Sequence, residues 1–115
     1  MAIVNRFSVV NWDIRAGNAE HFVVSIKRDG VAVNLSMHTI KLIVSDSLSD
    51  ATPLLSIGLT DGTDRNNFTA GVLDAKLTPE QTASFAGRVW FELFDDTDKV
   101  SLVVGRLSLF QRVGA

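Results

Sequence analysis

The stretch 77-LTPEQTASFAGRVWFELF-94 places a helix start, a helix stop and an alternating strand in direct succession. Thr78 offers an oxygen to the first free amides of a helix, and Pro79 suits the first helical position. Gln81 stands where its side chain reaches back to the Thr78 amide, completing a capping box. Gly87 then ends the turn, so the spacing predicts one short helix near residues 79–86. Beyond it Val89, Phe91 and Leu93 share one side while Arg88, Trp90, Glu92 and Phe94 share the other, which is the period of a strand. A short helical corner between strands fixes one corner of the fold.

Working outward, the rest of the chain reads as short strands divided by polar punctuation. His38, Ile40, Leu42 and Val44 alternate with Thr39, Lys41, Ile43 and Ser45, the pattern of a half-buried strand. Phe7 to Ile14 and Phe22 to Lys27 form two earlier strands. Asp29-Gly30 after the second is a hairpin signal, with Val31, Val33 and Leu35 on the returning arm. Residues 45–53 and 60–67 are rich in polar and turn-forming residues and read as loops, the second a mobile one, with a strand at Leu54 to Leu59 between them. Phe68 to Leu77 alternates weakly, with Val72 and Leu77 facing inward and Gly71 suited to a bulge. In Val100 to Val113 the apolar parity changes at Gly105, which predicts a β-bulge there. Seven to eight strands with one short helix, and no room for crossover helices, predict an all-β fold: an antiparallel immunoglobulin-like sandwich occupying residues 1–115 as a single domain.

Composition narrows the function classes. A chain of 115 residues buries about two-thirds of its unfolded surface, enough for one core. A net charge of −2 gives no bias toward nucleic acid or an anionic membrane. Cysteine is absent, so neither a disulfide framework nor a thiolate metal site is available. Asn5 and Arg6 interrupt the N-terminal apolar residues before a signal-peptide core forms, and no apolar run reaches membrane-span length.

No catalytic constellation emerges. GxSxG, P-loop, GxGxxG and HExxH patterns are all absent, and the serines lack a recognisable activating partner. His21 and His38 fall in or beside separate strands, His21 at the surface and His38 partly buried. Zinc would need two or three more ligands converging on either, so no metal or cofactor is expected. The loop at residues 61–67 mixes acids, amides and glycine but fails the calcium-loop pattern at Arg65 and Val72. Asp95, Asp96 and Asp98 form a denser oxygen cluster, yet Lys99 neutralises it and tight turns favour aspartate in any case.

The aromatics are more informative. Trp12 shares parity with Val10 and Ile14 and belongs to the core. If Val89, Phe91 and Leu93 also face the core, then Arg88, Trp90, Glu92 and Phe94 decorate the outer face. That face is either a sticky protein-binding surface or the second covered side of a central strand. Trp90 between Arg88 and Glu92 also leaves open a sugar-binding platform, and with it a carbohydrate-binding module of a host-recognition apparatus.

The order of these elements resembles the small β-sandwich domains of tailed-bacteriophage virion proteins, in particular those similar to the N-terminal domain of the baseplate upper protein. The residues that carry the likeness are Phe22-Val23-Val24-Ser25-Ile26, the Lys27-Arg28-Asp29-Gly30 hairpin with Val33-Asn34-Leu35-Ser36, and Thr39-Ile40-Lys41-Leu42-Ile43-Val44. They continue with Leu77-Thr78-Pro79-Glu80-Gln81-Thr82, Gly87 to Leu93, and the terminal strand through Gly105. The likeness spans roughly residues 20–110. It implies a non-enzymatic virion component made in the bacterial cytoplasm, which docks other virion proteins and repeats symmetrically as a homo-oligomer. Its implied place is either the tail or baseplate, or the capsid surface as a decoration.

Overall fold

The structure, a computed structural model, describes residues 2–5, 9–46, 53–85 and 89–110. It is an all-β sandwich. The strands are β1 (Ala2–Asn5), β2 (Val9–Arg15), β3 (Glu20–Arg28), β4 (Val31–Ala32), β5 (Ile40–Ser45), β6 (Leu55–Gly58), β7 (Val72–Leu77), β8 (Val89–Asp95) and β9 (Val100–Phe110). A 3-10 turn at Phe68–Ala70 precedes β7, and the helix α1 (Pro79–Ser84) follows it. One sheet has β3 at its centre, with β1 on one side and β4 and β7 on the other; the second runs β2-β9-β8-β5-β6.

Alternation in the sequence becomes sidedness in the sheets. Ile40, Leu42 and Val44 are fully buried between half-buried Lys41, Ile43 and Ser45. Val89, Phe91 and Leu93 are sealed in the same way. They meet Trp12 and Ile14 of β2, Phe22, Val24 and Ile26 of β3, and Leu73, Ala75 and Leu77 of β7 in one core. Its centre is an aromatic triangle in which the rings of Trp12, Phe22 and Phe91 stand 5.2–5.4 Å apart between centroids, tilted or edge-on as their quadrupoles favour.

The expected antiparallel pairing holds through the body of the sandwich, but its two N-terminal strands pair in parallel, β1 with β3 and β2 with β9. Each parallel pair joins segments that are not consecutive in the chain, so no local crossover helix is required. The chain changes sheets between Asn5 and Val9.

The helical corner forms as its sequence dictates. Gln81 N donates to Thr78 Oγ1 at 3.2 Å and Thr78 N donates to Gln81 Oε1 at 2.8 Å. The helix spans Pro79–Ser84 and Phe85 caps its end in an extended conformation; the expected stop at Gly87 lies outside the described residues. Thr82 is completely buried. Its hydroxyl accepts from Gly17 N at 3.0 Å and donates to Asn18 O at 2.8 Å, fastening the helix to the β2–β3 turn. At the β3–β4 hairpin Asp29 and Gly30 adopt φ of 52° and 78°, the paired left-handed conformation of a two-residue hairpin turn.

Three local expectations are corrected. The parity of β9 does not change at Gly105, because Val103, Gly105 and Leu107 form one continuous buried row. Leu93 faces Val103 and Phe94 faces Ser101, so the extra residue is Leu102. Gly105 is instead a site of close approach, where a Cβ would collide with the Val10 carbonyl and the Phe91 ring. In β7 the inward residues are Leu73, Ala75 and Leu77 rather than Val72, which is half-buried. Gly71 is no bulge but the left-handed end of the 3-10 turn at φ 72°.

The loop at 60–67, expected to be mobile, is tied to the sandwich. Asn66 is buried, and its carboxamide accepts from Asp74 N at 2.8 Å and donates to Asp74 O at 3.3 Å. Phe68 N donates to Asp61 Oδ1 at 3.0 Å. Polarity suggested mobility here, but these polar groups are spent on β7 and on the loop itself.

Candidate protein interface

The outer face of the five-stranded sheet gathers most of the residues singled out by parity. Trp90, Glu92 and Phe94 point away from the core and are half-buried by their neighbours. Arg88 lies outside the described residues. Register sets the surroundings: Trp90 lies between Ser45 of β5 and Arg106 of β9, Glu92 between Ile43 and Val104, and Phe94 between Lys41 and Ser101. Trp90 thus lies on the side of β8 opposite the core residues Val89, Phe91 and Leu93, half-buried among the described residues.

Arg106 is the residue that the sequence did not reveal. Its guanidinium lies over the Trp90 indole, 5.3 Å from the ring centroid, and only the β8–β9 register brings the two together. Trp and Arg are the side chains most enriched where protein contacts are strongest, and a stacked pair presents a stiff, amphipathic surface. Phe110, 48% exposed at the end of β9, extends the apolar part of this side. Asn11 and Asp13 of β2 add polar margin beside Arg106 and Ser108.

Both histidines are held by buried aspartates. His21 is exposed on β3, as expected, and its Nδ1 donates to Asp74 Oδ1 at 2.8 Å. His38 Nδ1 donates to Asp95 Oδ2 at 2.6 Å and lies 3.8 Å from Asp98 Oδ2. The hydrogen bond to Asp95 raises the His38 pKa above its ordinary value; partial desolvation opposes this, and the charges of Asp95 and Asp98 reinforce it. Asp96 points elsewhere, to Lys99 at 2.7 Å and Lys41 at 3.4 Å. The hydrogen bond from Lys99 is the main reason that its pKa is lowered.

A cleft of about 290 Å³ opens between the ends of the two sheets. Leu42 and Ile57 form its apolar part, and Thr63, Asp64, Asn66 and Lys76 its polar part. Its lining has no aromatic ring, so the stacking platform that a sugar site favours is not found there. Among the described residues no helix is long and apolar enough to cross a membrane.

No family model matches the chain, and no curated protein matches it. Among solved structures the fold is similar to the N-terminal domain of phage TP901-1 ORF48, a phage baseplate protein, at a TM-score of 0.60 and 12% identity over 93% of both chains. The natural killer cell receptor NKp44 is a more distant likeness, at a TM-score of 0.45 and 14% identity over 91% of this chain and 99% of that one. The sandwich expected from the resemblance to baseplate domains is thus the fold observed.

Proposed function

We propose that this chain is a single-domain structural component of a tailed-phage virion, placed in the tail or baseplate, and that it works by protein–protein contact. The observation that carries this reading is the end-to-end likeness to a phage baseplate domain, 93% of each chain, with no large insertion in either. The outer face of the five-stranded sheet is the docking surface in this reading, with Trp90, Glu92 and Phe94 as its contact residues; Arg88, expected with them from the sequence, lies outside the described residues. Repetition as a homo-oligomer suits such a role, since tail and baseplate parts occur in symmetric copies. The reading is non-enzymatic: it needs no cofactor and uses surfaces rather than pockets.

The experiment is proteomics of gradient-purified, nuclease-treated particles, combined with gold-labelled antibody in electron micrographs. Several copies per particle, with label on the tail, are expected. Abundant protein in infected cells that never enters particles would remove the basis of the proposal. Label confined to the head would move the protein to the capsid surface.

A further inference from the structure

Zinc-class chemistry needs three or more convergent nitrogen, oxygen or sulfur donors, and along the sequence His38 has no such company. The fold supplies it. Because β5 pairs with β8 with Ile40 opposite Asp95, the turn before β5 lies against the β8–β9 hairpin. Thr39 N donates to Thr97 Oγ1 and Asp96 N donates to Thr39 O, both at 2.8 Å, which locks the two segments together.

We propose that His38, Asp95 and Asp98 form a binding site for one divalent transition-metal ion of the zinc class. The donor atoms, Nδ1 of His38 and one carboxylate oxygen from each aspartate, all lie within 4.8 Å of one another. A tetrahedral ion with ligands at about 2.0–2.2 Å holds neighbouring donors roughly 3.3 Å apart. The separations from His38 Nδ1, 2.6 Å to Asp95 and 3.8 Å to Asp98, bracket that value. Only small side-chain movements are needed, and Asp98, 60% exposed, is free to make the larger one. Water completes the coordination.

Asp95 is the anchoring ligand. Its side chain is 3% exposed, and its Oδ1 accepts from Thr97 N at 3.0 Å and Asp98 N at 3.3 Å. Those amides hold the other oxygen toward the imidazole, as outer-shell partners of metal ligands do. Charge points the same way. Lys41 and Lys99 both pair with Asp96, so among the described residues the basic side chain beside Asp95 and Asp98 is the His38 imidazole. When an ion binds, the proton on Nδ1 passes to solvent, and a dication balances the two carboxylates. The imidazole nitrogen favours zinc, cobalt or nickel over calcium, which also wants six or more oxygen ligands.

The test is a Co²⁺ titration of tag-free protein, followed by visible absorption and by zinc competition. A saturable band at one ion per chain is expected, bleached by zinc. Asp98→Asn, at an exposed turn position, should remain folded and weaken binding by about 10-fold or more. His38→Gln should abolish the band, and His21→Gln should leave it unchanged. No saturable band at about 1 mM Co²⁺, or a titration that Asp98→Asn leaves unaltered, overturns the proposal.

Discussion

Trp90 and Arg106 face each other across the β8–β9 ladder, with the guanidinium stacked over the indole on the outer side of the sheet. The pair is half in water, so its contribution to folding is small, about 0.5–1 kcal/mol as expected for an exposed cation–π contact. In the proposed docking role its larger value is as a rigid contact surface. Trp90→Ala should therefore leave the cooperative unfolding transition intact while weakening association with the particle about 30-fold, the size of a strong contact residue. Paired denaturation and binding titrations check this. If Trp90→Ala unfolds the domain, the outer face is not a binding surface in the sense argued here.

Phe91 is the opposite case. It is 1% exposed on the inner side of the same strand and closes the aromatic triangle with Trp12 and Phe22. Phe91→Ala should cost about 3–5 kcal/mol, the range for a large aromatic removed from a packed core. Urea titration measures it, and a loss below about 1 kcal/mol would mean that the strand faces are assigned the wrong way round.

Gly105 has no room for a side chain. A Cβ there would meet the Val10 carbonyl of the parallel neighbour strand and the Phe91 ring at 2.7 Å. Gly105→Ala should destabilise by about 1–3 kcal/mol or more, through a forced shift of β2 away from β9. Loss of amide protection in β2 before the rest of the sheet, seen by hydrogen exchange, would locate the damage. An unchanged exchange pattern would show that the β2–β9 seam is not the tight contact described.

Thr82 tests the helical corner. Its hydroxyl both accepts from Gly17 and donates to Asn18, so Thr82→Val keeps the shape and strands two backbone groups. The cost should be about 1–3 kcal/mol, the penalty for an unsatisfied buried polar group. Thr82→Ser, which keeps the oxygen, should recover most of it. Thermal melts of the two variants side by side distinguish the hydrogen bonds from the methyl packing.

What the sequence made legible was local. Period two in Ile40-Leu42-Val44 and Val89-Phe91-Leu93, the Thr78/Gln81 capping box and the Asp29-Gly30 turn each depend on neighbours a few residues away. What it concealed was register. Trp90 and Arg106, His38 and Asp95, and Asn66 and Asp74 meet only once strands or loops are aligned. The Gly105 misreading has the same origin: the extra residue at Leu102 puts Val100, opposite buried Asp95, and Val104, opposite half-buried Glu92, on different faces, so the apolar run Val100-Leu102-Val104 is not one row. The mobile reading of the loop at 60–67 failed because Asn66 and Asp61 looked like solvent-seeking residues and are in fact bonded to the backbone.

Asn66 has a wider consequence. By giving Asp74 one acceptor and one donor, its carboxamide occupies the rim of β7 much as one residue of an added strand would. An unguarded rim is a template for endless strand-by-strand growth, the usual route from a sandwich to a fibre. With Asn66 bonded to Asp74 and Asn67 bridged to Val72, this part of the β7 rim is closed to strand addition by another chain. A small amide in a polar loop thus acts as a guard on one edge of the sheet.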